Sequence, residues 1–192
     1  LEASGLTNAQ SLSLYGALTG MALPFILFPS AITSALSTML LPTIAGQQAA
    51  GKEDAIIRST EQTIQYCLWL GFLSGGIFFF FGKKLALIFY RNPDAGIFLQ
   101  ILAFLCPFLY LTATLTGILN GLGHTVQCLI QNLAGLGIRI LFVYFAIPRL
   151  GIRGYLFGLL LSQLVITGLN LLFLHKNVKF RFPATKWIIL PC

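Results

Sequence analysis

The sequence predicts an all-α fold, a polytopic membrane helical bundle with about five transmembrane helices. Three observations carry this prediction. The 192 residues are 57% hydrophobic and only 9% charged, with a mean hydropathy of +0.86, whereas soluble domains average about 25% charged residues. Apolar runs recur along the whole chain, each near the roughly 20 residues that a bilayer requires. Short polar or glycine-rich breaks separate them. Phe alone contributes 17 residues, a bias toward lipid-facing surface rather than toward chemistry.

In chain order, the first span covers about residues 17–41, with Pro24 and Pro29 expected to kink or break it. The second, about 64–82, reads "IQYCLWLGFLSGGIFFFFG". The third, about 97–119, contains Pro107. The fourth and fifth cover about 125–147 and 154–174. A further span is expected to start near Trp187, in "KWIILPC". The stretch 46–63, "GQQAAGKEDAIIRSTEQT", reads as the one long polar connection and holds three of the five acids. Within it, Ser59 and Gln62 have the spacing of a capping box that would open the second span. "KKLALIFYRNPD" (83–94) reads as a short interfacial helix ended by Asn92-Pro93. "NGLGH" and "PRLGIRG" read as tight glycine turns. The opening "LEASGLTNAQ" has neither Met nor the apolar core of a signal peptide. With the apolar ending, it leads to the expectation that the chain is a piece of a longer protein.

The net charge of +7 does not indicate nucleic acid. The Lys and Arg residues are scattered between apolar runs instead of forming a stripe with aromatics, so they read as membrane-flanking anchors. Alternating spans put Lys52, Arg58, Lys176, Lys179, Arg181 and Lys186 on one side and Lys83, Lys84, Arg91, Arg149 and Arg153 on the other. Six against five slightly favours the first side as cytoplasmic. The four cysteines, Cys67, Cys106, Cys128 and Cys192, lack metal-ligand spacing and read as packing residues. His124, in a turn without a nearby acid, and His175, at a span end, read as structural or interfacial. There is no Ser/His/Asp set, zinc motif or phosphate-cradling loop. No enzyme activity, cofactor or metal is expected.

The informative residues are polar groups inside the apolar runs. In "PSAITSALSTMLLP", Ser30, Thr33, Ser34, Ser37 and Thr38 fall within an arc of about 140° on a helix. Gln163, Thr167 and Asn170 form a stripe in the fifth span, and Thr112, Thr116 and Asn120 form one in the third. Cys128, Asn132, Gly135 and Arg139 align in the fourth. Each hydroxyl or amide can simply bond a neighbouring helix, at about 0.6 kcal/mol. As a set, the stripes point to a hydrated cavity. Arg139 lies near mid-membrane, where a charge costs about 2.5–3.5 kcal/mol even on the lenient insertion scale. Pro148 lies about 13 Å of helix rise away, so snorkelling is one reading. A fixed cation facing a phosphate or carboxylate is the other. No Asp or Glu lies inside a span to pair with it.

"YGALTGMALPFILFPSAITSALSTMLLPTIA" (15–45) resembles a segment of the stage V sporulation protein B group. That group belongs to the multidrug/oligosaccharidyl-lipid/polysaccharide exporter superfamily, which also contains lipid II flippases. The proline-framed, serine-rich helix, the "LLP" ending and the polar stretch after it carry the resemblance. "GILNGLGHTVQCLIQNLAGLGIRI" (117–140) and "GIRGYLFGLLLSQL" (151–164) fit it in order and spacing. The resemblance implies a MATE-like transporter of about fourteen spans, in two lobes of six helices plus extras, around a central cavity. Residues 1–192 would then be a partial C-terminal lobe, with 46–63 cytoplasmic and the first lobe missing from this chain. It also implies transport of a lipid-linked oligosaccharide or cell-wall precursor across the bacterial cytoplasmic membrane by alternating access. The partners would be the bilayer and the anionic lipid-linked glycan, with Arg139 as a candidate for its pyrophosphate. The cavity candidates are Arg139, Asn132, Ser30, Ser34, Ser37, Thr112, Thr116, Gln163, Thr167 and Asn170. The hinge candidates are Pro24, Pro29, Pro107, Gly75 and Gly76. A drug/cation antiporter of the same superfamily and a transport-inactive scaffold are the competing readings.

Overall fold

The computed structural model describes residues 8–178. Helix α1 (Asn8–Gly16) passes through π-helical turns at Ala17–Ala22 into α2 (Leu23–Ala49). Then follow α3 (Glu53–Tyr90), α4 (Pro93–Leu102), a 3₁₀ turn at Ala103–Leu105, α5 (Cys106–Gly121), α6 (Thr125–Leu150) and α7 (Ile152–Val178). The described residues contain no strand. Among the described residues, five helical stretches are long and apolar enough to cross a membrane: Leu12–Ala49, Glu53–Tyr90, Ala95–Gly121, Thr125–Ala146 and Gly154–Val178. The protein is therefore an all-α, multi-pass membrane bundle. The expected span near Trp187 lies outside the described residues.

Three local expectations need correction. The stretch 46–63 is not a loop, because only Ala50–Lys52 separate α2 from α3. Its Ala, Gln, Glu, Lys and Arg are strong helix formers, and the chain turns only where Gly51 takes a positive φ of 66°. Consequently Ser59 caps nothing. It lies inside α3, and its hydroxyl meets the Gln47 amide at 3.2 Å. Glu53 and Asp54 occupy the first turn of α3 instead, where the helix dipole favours negative charge. The separate interfacial helix at 83–94 is also absent, since α3 runs unbroken to Tyr90. It ends at Arg91, whose left-handed φ of 51° and amide bond to Leu87 O close the helix. Asn92 then accepts from the Ala95 amide at 3.4 Å, and Pro93 opens α4, a position suited to a residue without N–H.

The first span is likewise continuous through Pro24 and Pro29. Pro24 stands in the first turn of α2, directly after the π-helical turns. Pro29 sits inside the helix and supplies no amide to the backbone ladder. Hydroxyls converge on the carbonyls around it: Tyr110 Oη donates to Ile26 O at 2.8 Å, Ser30 Oγ to Leu27 O at 2.6 Å, and Thr33 Oγ1 to Ser30 O at 2.9 Å. The carbonyl that Pro29 leaves without an amide donor is Phe25 O, and these bonds fall on its neighbours.

Helix α5 is the centre of the bundle. It packs against α2, α3 and α7, while α6 rests mainly on α7. The core window of the third span is 67% buried, against 17% for the first and fourth. Apolar packing forms two layers. One gathers Leu18, Ile26, Leu102, Cys106, Tyr110 and Leu156. The other gathers Ile64, Leu115, Ile118, Leu119, Cys128 and Leu174. Between them, at mid-height, lies a belt of buried polar side chains: Thr33, Ser74, Thr112, Thr114, Gln163 and Thr167.

Candidate functional site

The polar stripes separate into two groups once the helices are placed. The first group joins helices. Thr112 and Thr167 hydroxyls meet at 2.7 Å across the α5–α7 contact. Thr167 Oγ1 also lies 2.7 Å from Gln163 O and 3.3 Å from Phe108 O. Ser37 Oγ donates to Ala113 O at 2.8 Å, tying α2 to α5. Gln163 and Asn170 are buried on α7, whereas Thr116 on α5 is half-buried. Cys67 Sγ lies 2.8 Å from Thr114 Oγ1, joining α3 to α5.

The second group faces outward at membrane depth. Ser34 and Thr38 are exposed on α2, so the serine-rich arc divides. Its Thr33 and Ser37 edge turns into the bundle, and its Ser34 and Thr38 edge turns away. Ser30 is half-buried and bonded to its own helix. Asn132 is exposed on α6, with its amide donating to Cys128 O at 2.8 Å. Arg139 is half-buried on the same helix, and its buried Nε has no hydrogen-bond partner among the described residues.

Buried polar groups without partners recur near the α6–α7 contact. Both side-chain amide atoms of Asn170, fully buried, are unpartnered among the described residues, as is Gln131 Oε1. Gln131 is a residue that the stripe of α6 missed. It is buried, and its Nε2 donates to Leu169 O at 3.3 Å. The available signal was rotation: Gln131 and Gly135 share the face toward α7, which turns Asn132 outward. Tyr110 was also missed, because an aromatic in an apolar run carries no pattern that marks its hydroxyl as a bond donor.

Of the hinge candidates, Gly75 lies where α3 crosses the 3₁₀ turn, and a Cβ there would stand 2.9 Å from Ala103 O. Gly76 faces open space. Pro107 begins α5 beside Gly71, directly after the 3₁₀ turn. His124 sits in the turn before α6, its ring edge-on to Phe173 at 5.1 Å. The ends Gln48–Ile57, Leu122 and Asn177–Val178 gather around one depression of mixed polarity, so they share a side of the bundle.

A family model described as MatE matches residues 3–145. The chain is similar to Stage V sporulation protein B of Bacillus subtilis (strain 168), at 28% identity over 172 residues, covering 88% of this chain and 33% of that protein. It is also similar to Sporulation protein YkvU of the same strain, at 24% identity over 181 residues, covering 93% of this chain and 41% of the other. The chain thus spans between 33% and 41% of the length of these curated relatives. No solved structure matches it.

Proposed function

Because the chain belongs to the MatE family, we propose that it forms most of the second lobe of a two-lobed bacterial transporter. The cargo in this reading is an anionic, lipid-linked oligosaccharide or cell-wall precursor, moved across the cytoplasmic membrane by alternating access. Arg139 is the observation that carries it. A guanidinium at membrane depth is retained only where something offsets its desolvation. Glu53, Asp54 and Glu61 all lie in the first three turns of α3, and Asp94 lies at the start of α4. None of them is placed at the mid-height of α6. A lipid-linked pyrophosphate offers several oxygen acceptors, which Arg engages bidentately and Lys only as a point charge. Ser34, Thr38 and Asn132 supply neutral polar groups on outward faces, where a water-filled cavity between lobes would meet them. A cation antiporter would instead need a membrane-embedded carboxylate. The names of the two relatives support a role in sporulation.

A flipping assay on the full-length protein tests the role of Arg139. Arg139→Lys is expected to weaken transport and Arg139→Gln to abolish it, with membrane expression unchanged. Equal activity of wild type and Arg139→Lys would identify a snorkelling side chain, since Lys snorkels as well as Arg. Wild-type activity in Arg139→Gln would remove the residue from the mechanism.

A further inference from the structure

On the outer face of α3 and α5 runs a groove of about 520 Å³ whose lining is almost wholly apolar. Its floor is where the two backbones touch. A Cβ on Gly71 would stand 2.5 Å from Pro107 Cα, and one on Gly75 would stand 2.9 Å from Ala103 O. Phe72, Phe79 and Phe104 form exposed walls, with the Phe79 and Phe104 rings edge-on at 5.5 Å. Gly76, which has nothing within 4 Å, leaves the side open.

Two features select the occupant. The first is length. The α3 lining runs from Leu68 to Phe79, about 16 Å of helix. That is about half of the ~30 Å hydrocarbon core, the reach of one leaflet. The second is charge. Phe72, Gly76, Phe79 and Lys83 follow at i, i+4, i+7 and i+11, within an arc of about 60°. Lys83 therefore continues the groove's own line, and it is exposed, as is Lys84 beside it. On the facing wall, Gln100 lies one turn before Phe104 and clamps the same end by donating to Phe79 O at 2.8 Å.

We propose that this groove is a binding site for one acyl chain of an anionic phospholipid of the surrounding bilayer, whose phosphate meets Lys83 at the groove's end. The occupant is held by its tail along α3 and α5 and chosen by its charge. The site needs only that the bundle spans a membrane, so it stands apart from the transport reading.

The test uses the full-length protein in nanodiscs containing either phosphatidylglycerol or phosphatidylcholine with a diazirine on the acyl chain. Cross-linked positions are mapped by mass spectrometry. The phosphatidylglycerol probe is expected to label residues 68–79 and 103–111 about fivefold more than the phosphatidylcholine probe. Lys83→Gln should bring the two to the same level. Gly76→Phe, which fills the groove and keeps the lysine, should suppress labelling by both, with the melting temperature of the protein as the folding control. Equal labelling by both probes in the wild type overturns the charge selection. Absence of label in these segments overturns the site, because it means that other protein covers the groove. Unchanged labelling in Gly76→Phe overturns it as well, because the chain then lies elsewhere.

Discussion

Tyr110 shows how one hydroxyl can settle a helix that its own sequence should disturb. It is fully buried, and its hydroxyl reaches Ile26 O, three residues before Pro29. Tyr110→Phe removes the donor while keeping the ring, and is expected to cost about 1 kcal/mol, read as a lower midpoint of denaturation in detergent. The Thr112–Thr167 pair is a separate case, since the Thr167 hydroxyl also has an acceptor on its own helix, Gln163 O at 2.7 Å. A double-mutant cycle with Thr112→Val and Thr167→Val is expected to give a coupling of about 0.6 kcal/mol, the usual size for such pairs in membranes. Coupling indistinguishable from zero would mean that the 2.7 Å contact contributes nothing beyond packing. At this scale the sequence revealed which residues were polar and that they formed stripes. It did not reveal which way each stripe faced. Ser34 and Ser37 are three residues apart on one helix, yet one is exposed and the other bonds α5, because the position of α5 is a tertiary fact.

Elements were legible wherever an apolar run ended at a glycine turn, and misread where polarity was taken for irregularity. The 46–63 stretch is helical on either side of Ala50–Lys52, because helix propensity depends on side-chain entropy and backbone competition rather than on hydrophobicity. The 83–90 stretch reads in the sequence as a helix of its own and is instead the end of α3. The true break at Gly51 needs a left-handed residue, so Gly51→Ala is expected to destabilise by about 1 kcal/mol in a thermal unfolding assay. Close helix contact gives a sharper contrast on α3. Gly71→Leu drives side-chain atoms into the Pro107 backbone and is expected to cost about 1–3 kcal/mol by pushing α3 from α5. Gly76→Ala, five residues on, meets nothing, and should be neutral or stabilising by up to about 1 kcal/mol through helix propensity. Similar stability of the two variants would contradict the packing of α3 on α5.

At the scale of the whole molecule, the five spans of the described residues and the depression shared by Gln48–Ile57, Leu122 and Asn177 fix which helix ends lie together. In a cysteine-free background, cysteines at Lys52, Gly123 and Asn177 should react with an impermeant maleimide from one side of the membrane, and one at Arg91 from the other. Labelling of Lys52 and Gly123 from opposite sides would break the five-span topology. Span number and order were readable from hydropathy, because the bilayer imposes a length on each apolar run. The centrality of α5 was not, because hydropathy records affinity for an apolar medium and does not distinguish lipid from protein. That centrality has a consequence for biogenesis. Membrane chains enter the bilayer in the order of their synthesis, so α5 arrives before α7 exists to cover it. During that interval Thr112 can bond back to Phe108 O, the carbonyl one turn earlier on its own helix. In the finished bundle the Thr167 hydroxyl lies 2.7 Å from Thr112 Oγ1 and 3.3 Å from that same carbonyl. The arrival of α7 thus exchanges hydrogen-bond partners instead of creating bonds from nothing. The net drive for α7 to dock then comes from the close fit of its surface against α5 and α6.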